Sequence, residues 1–131
     1  MRVLVIAALG FMLASCAAAP PRPPLIASAG AAPAAEMDAV FRQSLALRYG
    51  TNAGRDAVRA DLAASDFACV ERAAPIGAPP NAVIDVCTRT RPAAKAGCTD
   101  AWTVDLRFRN LSRALDSVRI APVGRFARSC R

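Results

Sequence analysis

Apolar and polar positions recur along this chain with two periods, first the spacing of helices and then the alternation of strands. Residues 36–49 carry an apolar residue every three or four positions, which places these residues on one helical face. That face consists of Met37, Val40, Phe41 and Leu45. Gly50 follows, as expected for the left-handed residue that ends many helices. A second, shorter helix is predicted from Thr51 or Asn52 to about Ala64, with Val58 and Leu62 one turn apart.

After the second helix the pattern changes to the alternation of half-buried strands. The clearest segment sets Trp102, Val104, Leu106 and Phe108 against Thr103, Asp105, Arg107 and Arg109. Three further strands are predicted at Phe67–Glu71, Ala82–Thr90 and Ser117–Ala121. The last of them is expected to stop at Pro122 and to lie at an edge, because proline cannot donate to a strand ladder.

Register arithmetic joins these strands into a meander. A hairpin centred near Arg113 sets Phe108 opposite Val118, so their apolar faces coincide. The preceding hairpin can match Ile84 and Val86 with the same apolar face. The predicted fold is therefore α+β, with two N-terminal helices packed on one face of a four-stranded antiparallel meander, in the order α-α-β-β-β-β, stapled by disulfides. We assign this domain to residues 36–131.

The five cysteines divide into one near the N terminus and four in the predicted domain. These four are Cys69, Cys87, Cys98 and Cys130. An even number in a small exported chain indicates two disulfides. Structural zinc is the alternative, but the chain has no histidine and no closely spaced cysteine pair, which such sites usually use. We therefore expect no metal and no cofactor.

Pairing of the cysteines follows from the first hairpin only in part. A turn centred at Ala78 sets Cys69 opposite Cys87, which allows a cross-strand bridge and leaves Cys98 to pair with Cys130 by elimination. This register turns Cys87 away from the side of Ile84 and Val86, so the geometry alone leaves the connectivity open.

The N terminus has the layout of an export signal. Arg2 precedes an apolar core at residues 3–14, which is too short for a membrane span of about 20 residues. Leu13-Ala14-Ser15-Cys16 closely resembles the lipobox of bacterial lipoproteins. That resemblance implies cleavage of residues 1–15 and acylation of Cys16, and the absence of aspartate at Ala17 implies the outer membrane, with the domain facing the periplasm. An ordinary secreted protein and an uncleaved anchor are the alternatives.

Between the lipobox and the domain, residues 16–35 look like a tether. Five prolines stand among alanines, and large apolar side chains are almost lacking. Such a segment cannot build a core, so we expect a semi-extended linker after Cys16. At about 3.1 Å per residue it would hold the domain up to roughly 50 to 60 Å from the lipid.

Charge gives the best indication of a binding surface. The formal net charge is +7, and four arginines are expected to project from the same wet sheet face, namely Arg89, Arg107, Arg109 and Arg119. Guanidinium groups bind phosphates and carboxylates through paired hydrogen bonds. The alternative is a solvated arginine-rich face, partly neutralised by Asp85 and Asp105. Solvated ion pairs are likewise the expected role of the scattered acidic residues.

Several segments together resemble two related small domains. These segments are Tyr49–Asn52 before the second helix, Phe67–Cys69, Val86–Cys87 and the alternation Trp102–Phe108. They resemble the SmpA/OmlA family, the small lipoproteins of the outer-membrane β-barrel assembly machinery, and the repeat unit of the β-lactamase inhibitory protein. The second resemblance implies a Cys69–Cys87 bridge across the first hairpin. The four cysteines depart from the barrel-assembly family.

The sequence thus predicts a non-catalytic outer-membrane lipoprotein. No histidine is present to act as a base near neutral pH, and no nucleophile or phosphate-loop motif is found. Its expected role is protein binding or scaffolding in envelope maintenance, with barrel assembly as the candidate process. The alternatives are binding of peptidoglycan or lipid phosphates through the arginine face, and inhibition of a periplasmic enzyme. Nucleic acid is not an expected partner outside the cytoplasm.

Overall fold

The structure, a computed structural model, describes residues 32–72, 77–109 and 118–131, together with residues 23, 25 and 26. Its strands form one antiparallel sheet in the order β1-β5-β4-β3-β2. Along the described chain the elements are α1 (Met37–Tyr49), β1 (Ala53–Gly54), α2 (Arg55–Ala64), β2 (Ala68–Glu71), β3 (Val83–Pro92), β4 (Cys98–Arg109) and β5 (Arg119–Cys130).

The predicted four-stranded meander after two consecutive helices is wrong. A fifth strand, β1, lies between the helices and pairs with the start of β5, with Ala53 opposite Ile120 and Gly54 opposite Arg119. Two residues are too few to show an alternating pattern, and the sequence there suggests only a helix cap. The described elements therefore run α-β-α-β-β-β-β.

The last strand is also longer than predicted, because β5 continues through Pro122 to Cys130. Since β1 covers only Arg119 and Ile120, the rest of β5 is an edge, where the missing N–H of a proline can face solvent. Phe108 pairs with Ile120 rather than with Val118. That shift of two residues preserves the faces, because side chains alternate with a period of two.

A β-bulge near the start of β3 changes which side chains face the helices. Val83 pairs with Arg107 and Asp85 with Leu106, so Ile84 is an extra residue on β3. Ile84 and Asp85 are both buried, at 4% and 0% exposure. Beyond the bulge Val86 lies opposite Asp105, on the face away from the helices. The prediction that Ile84 and Val86 share the apolar face of β4 is therefore wrong.

The hydrophobic core lies between the helices and one face of the sheet. Its most completely buried large side chains come from α1, α2, β4 and β5 in the usual two-layer arrangement. They are Phe41, Leu45, Leu62, Trp102, Val104, Leu106 and Ile120, each at most 1% exposed. Leu25 and Ile26, both 3% exposed, belong to the same cluster.

Burial of Leu25 and Ile26 corrects the predicted tether. Both residues fall within the segment 16–35, whose composition predicts a linker outside the core. In addition, the carbonyl of Pro23 accepts a hydrogen bond from Arg48 Nη1 in the last turn of α1, at 2.6 Å. The folded unit therefore includes Pro23, Leu25 and Ile26, which fall within the predicted linker.

Two disulfides tie neighbouring strands together. Cys69 on β2 is bonded to Cys87 on β3, and Cys98 on β4 is bonded to Cys130 on β5. These are the two pairs that the sequence indicated. Each bridge joins residues that lie directly opposite in the ladder, and closing loops of this size contributes about 3 kcal/mol in the chain-entropy model.

Close packing of α1 on β5 depends on Gly124. A Cβ built at this position would lie 3.0 Å from the ring of Phe41 and still closer to Leu45. The absence of a side chain thus lets the apolar face of α1 approach the strand directly.

We expect Gly124→Ala to lower the free energy of unfolding by about 1 to 3 kcal/mol, because the added methyl group overpacks the core. Gly54→Ala is the matched control, since a Cβ there meets no atom within 4 Å and should be neutral or slightly stabilising. Urea unfolding of the oxidised proteins measures both. Equal stability of the two variants would contradict the close approach.

Candidate functional site

The sheet has two unlike faces. One is covered by the core and the helices, and the other, here called the open face, is covered by no described helix. Its exposed or half-buried lining is mostly small or β-branched and includes Val70, Val86, Thr88, Ala101, Thr103 and Val123. A shallow depression of about 270 Å³ lies there, lined by Ala101, Thr103, Arg125, Phe126 and Ala127.

One end of the open face is strongly basic. Arg109 and Arg119 lie directly opposite each other on β4 and β5, and Arg107 lies two residues before Arg109 on the same face. We call these residues the three-arginine cluster. None of the three takes part in an ion pair among the described residues. The buried Nε of Arg107 also has no hydrogen-bond partner there.

Arg89 does not belong to this cluster, which corrects the expectation that all four arginines share one wet face. It lies opposite Trp102, on the helix side of the sheet. Its Nη1 donates to the carbonyl of Ser65 at 3.0 Å, and its Nη2 lies 3.7 Å from the Asp66 carboxylate. The bulge at Ile84 is the cause, because one extra residue reverses the side to which each later residue of β3 points.

The three-arginine cluster is electrostatically incomplete among the described residues. Like charges placed directly opposite on neighbouring strands are destabilising, and Arg109 faces Arg119 in that manner. An anion between them would relieve this repulsion and could accept two hydrogen bonds from each guanidinium group. The cluster is therefore a candidate site for a carboxylate or phosphate.

The middle of the open face has a different charge arrangement. Asp105 is only 6% exposed there. Its carboxylate oxygens lie 3.2 and 3.3 Å from Nη2 of Arg125, whose side chain is 66% exposed. The two charges compensate each other, so the net positive charge of the open face is concentrated at the three-arginine cluster.

On the helix side, Asp85 joins the sheet to α2. Its fully buried carboxylate accepts hydrogen bonds from Arg55 Nε at 2.6 Å and Nη2 at 3.0 Å, and Arg59 lies 3.7 Å away. These hydrogen bonds raise the pKa of Arg55 above its usual value. The expectation of a solvated ion pair is wrong here, because the bulge turns Asp85 inward.

A second buried pair connects β4 with β5. Asp100, 1% exposed, lies directly opposite Arg128 and accepts two hydrogen bonds from it, at 2.6 and 3.0 Å. These hydrogen bonds hold the pKa of the Asp100 carboxyl below its usual value of 3.8. Arg128 therefore has a carboxylate partner, whereas the arginines of the three-arginine cluster have none among the described residues.

Other predicted features can be placed only in part. The lipidation residue Cys16 lies outside the described residues. Within the described ranges, no group of three or more histidine, cysteine or acidic residues could hold a metal ion, and none of the helices is long and apolar enough to cross a bilayer.

Comparison with known proteins finds no family model, no curated protein and no solved structure that matches this chain. The resemblance to the SmpA/OmlA family and to the β-lactamase inhibitory protein therefore remains a prediction.

We expect Asp85→Asn to lower the free energy of unfolding by about 1.5 to 3 kcal/mol, because it weakens the two charge-assisted hydrogen bonds from Arg55 and leaves Glu71, at 3.3 Å, as the remaining carboxylate beside Arg55. Asp56→Asn, an exposed change in the first turn of α2, is the matched control and should cost no more than about 1 kcal/mol. Urea unfolding at neutral pH measures both. The role of Asp85 is disproved if the two variants lose equal stability.

The Asp100–Arg128 pair should make stability depend on acid. Because the pKa of Asp100 is lower in the folded state, the pair stabilises the protein above about pH 4, and this contribution disappears as the pH falls further. We therefore expect Asp100→Asn to lose less stability than the wild type between pH 6 and pH 2. Urea midpoints across this range give the comparison. Parallel curves for the two proteins would be inconsistent with this role.

Proposed function

We propose that this chain is a lipid-anchored, non-catalytic module of the bacterial envelope, whose open face binds an acidic surface of a protein partner in the periplasm. The lipobox-like Leu13–Cys16 supports the anchor. The two disulfides support an oxidising compartment such as the periplasm. Components of the barrel-assembly machinery are the first partners to examine.

The observation that carries this proposal is the three-arginine cluster. Arg48, Arg55 and Arg128 each bind a carboxylate at 2.6 Å, whereas the cluster has no ion-pair partner among the described residues. A partner's carboxylates would supply the missing charge. Because the cluster lies in a partly exposed sheet face, such pairs would be only partly screened by solvent.

The size of the open face favours a protein over a small anion. β4 and β5 have 12 residues each and β3 has 10, so with β2 they present on the order of 600 Å², at about 4.8 Å between strands. A standard protein interface uses about 800 Å² from each partner. The small side chains of this face would permit close contact, with the arginines fixing orientation at one end.

A second candidate is an anionic envelope ligand, either peptidoglycan carboxylates or lipid phosphates. The direct opposition of Arg109 and Arg119 favours it, because relief of their repulsion needs only one anion. In that mode the rest of the open face would contribute little.

Site-specific crosslinking tests the proposal. A photo-reactive amino acid replaces Ala127 on the open face or Ala57 on the exposed side of α2, and adducts formed in cells are identified by mass spectrometry. We expect one defined protein from position 127 and none from position 57. That adduct should disappear in Arg109→Glu/Arg119→Glu.

Lys95→Glu is the control for charge. It is an exposed change in the turn between β3 and β4, at the far end of the sheet from the cluster, and it should preserve the adduct. Loss of the adduct in both variants would indicate a general charge effect and would contradict the site. If no protein is captured and the purified chain binds peptidoglycan or phospholipid vesicles through the same arginines, the second candidate replaces the first.

A further inference from the structure

The chain enters the folded unit on the helix side of the molecule. Arg48, at the end of α1, binds the carbonyl of Pro23, while Leu25 and Ile26 are buried in the core between helices and sheet. Arg48 is itself fixed to α2 by two hydrogen bonds to Asp61, at 2.6 and 2.7 Å. Pro23, the first described residue after Cys16, is therefore held by α1 directly and by α2 through the Arg48–Asp61 hydrogen bonds.

The distance from this point to the proposed lipid is short. Cys16 and Pro23 are separated by seven residue steps, and a polypeptide spans at most about 3.6 Å per residue, or about 25 Å in total. The folded unit consists of a helix layer, formed by α1 and α2, on a sheet, and two such layers are roughly 20 Å thick. A connection of this length can barely pass around the edge of the domain to its opposite face.

The outer surface of the helix layer also suits contact with a bilayer. Leu47, adjacent to Arg48, is 81% exposed. On α2 the exposed residues are mostly alanines, namely Ala57, Ala60, Ala63 and Ala64. Of the three acidic side chains in α1 and α2, Asp38 and Asp61 are paired with arginines, whereas Asp56 is exposed in the first turn of α2. Two of the three negative charges are thus compensated within the helix layer.

We propose that the helix layer lies against the membrane that holds the anchor, and that the open face is directed away from it. This inference rests on the proposed lipidation of Cys16. It excludes the anchoring membrane as the ligand of the three-arginine cluster, which would instead meet partners from the periplasm.

Tryptophan quenching tests this orientation. The acylated chain is reconstituted in vesicles of phosphatidylethanolamine and phosphatidylglycerol that contain a lipid with a nitroxide on its headgroup. Ala57→Trp reports on the helix layer and Ala127→Trp on the open face, while the buried Trp102 gives the same background in both. We expect the signal of Ala57→Trp to be quenched at least twofold more than that of Ala127→Trp.

Lengthening the connection provides the control. Twelve glycine and serine residues inserted between Ala19 and Pro20 should reduce the difference between the two tryptophans. Equal quenching with the natural connection, stronger quenching of Ala127→Trp, or no quenching of either would overturn the orientation.

A separate measurement distinguishes failure of the anchor from failure of the orientation. The mass of the mature chain shows whether Cys16 is acylated in cells. If it is not, the proposed anchor fails, and the thiol of Cys16 is instead coupled to a maleimide lipid before the same quenching comparison. The geometry of the short connection is then tested independently of the cell's own modification.

Discussion

The two-against-one pairing of Ile84 and Asp85 with Leu106 determines the arrangement of much of this molecule. Without the extra residue, regular alternation would place Asp85 and Cys87 on the open face. With it, Cys87 joins the core and bonds to Cys69, and Asp85 becomes the buried anchor for α2. A single irregularity thus couples the first disulfide, the position of the second helix and the charge of the opposite face.

Charged side chains have different surroundings on the two sides of the sheet. On the helix side, Asp85 and Asp100 each accept two short hydrogen bonds from an arginine, so the charges of both aspartates are compensated. Removing the arginine from such a pair is costly because the aspartate stays buried without its counter-charge, which makes these pairs structural. On the open face, Arg109 and Arg119 face each other without a described counter-charge. Arginine is present on both faces, and only its position in the fold determines whether it has a carboxylate partner among the described residues.

The helices and the alternation of β4 could be predicted because their apolar spacing is regular over many residues. The Cys69–Cys87 pair could be proposed by counting residues on either side of the turn centred at Ala78. The bulge could not be predicted, since Ile84 and Val86 alternate with polar neighbours as in an ordinary strand. The burial of Leu25 and Ile26 could not be predicted, because two apolar residues among prolines show neither helical nor strand periodicity. In the candidate site, the wrong placement of Arg89 is a direct consequence of the bulge.

Each neighbouring pair among β2 to β5 is joined by a short covalent connection. Disulfides join β2 to β3 and β4 to β5, and a five-residue turn connects β3 to β4. The final strand can therefore not leave its own sheet while Cys130 remains bonded to Cys98. A folded chain that contains this disulfide cannot exchange β5 alone with a second copy, so the bridge prevents domain swapping through this strand.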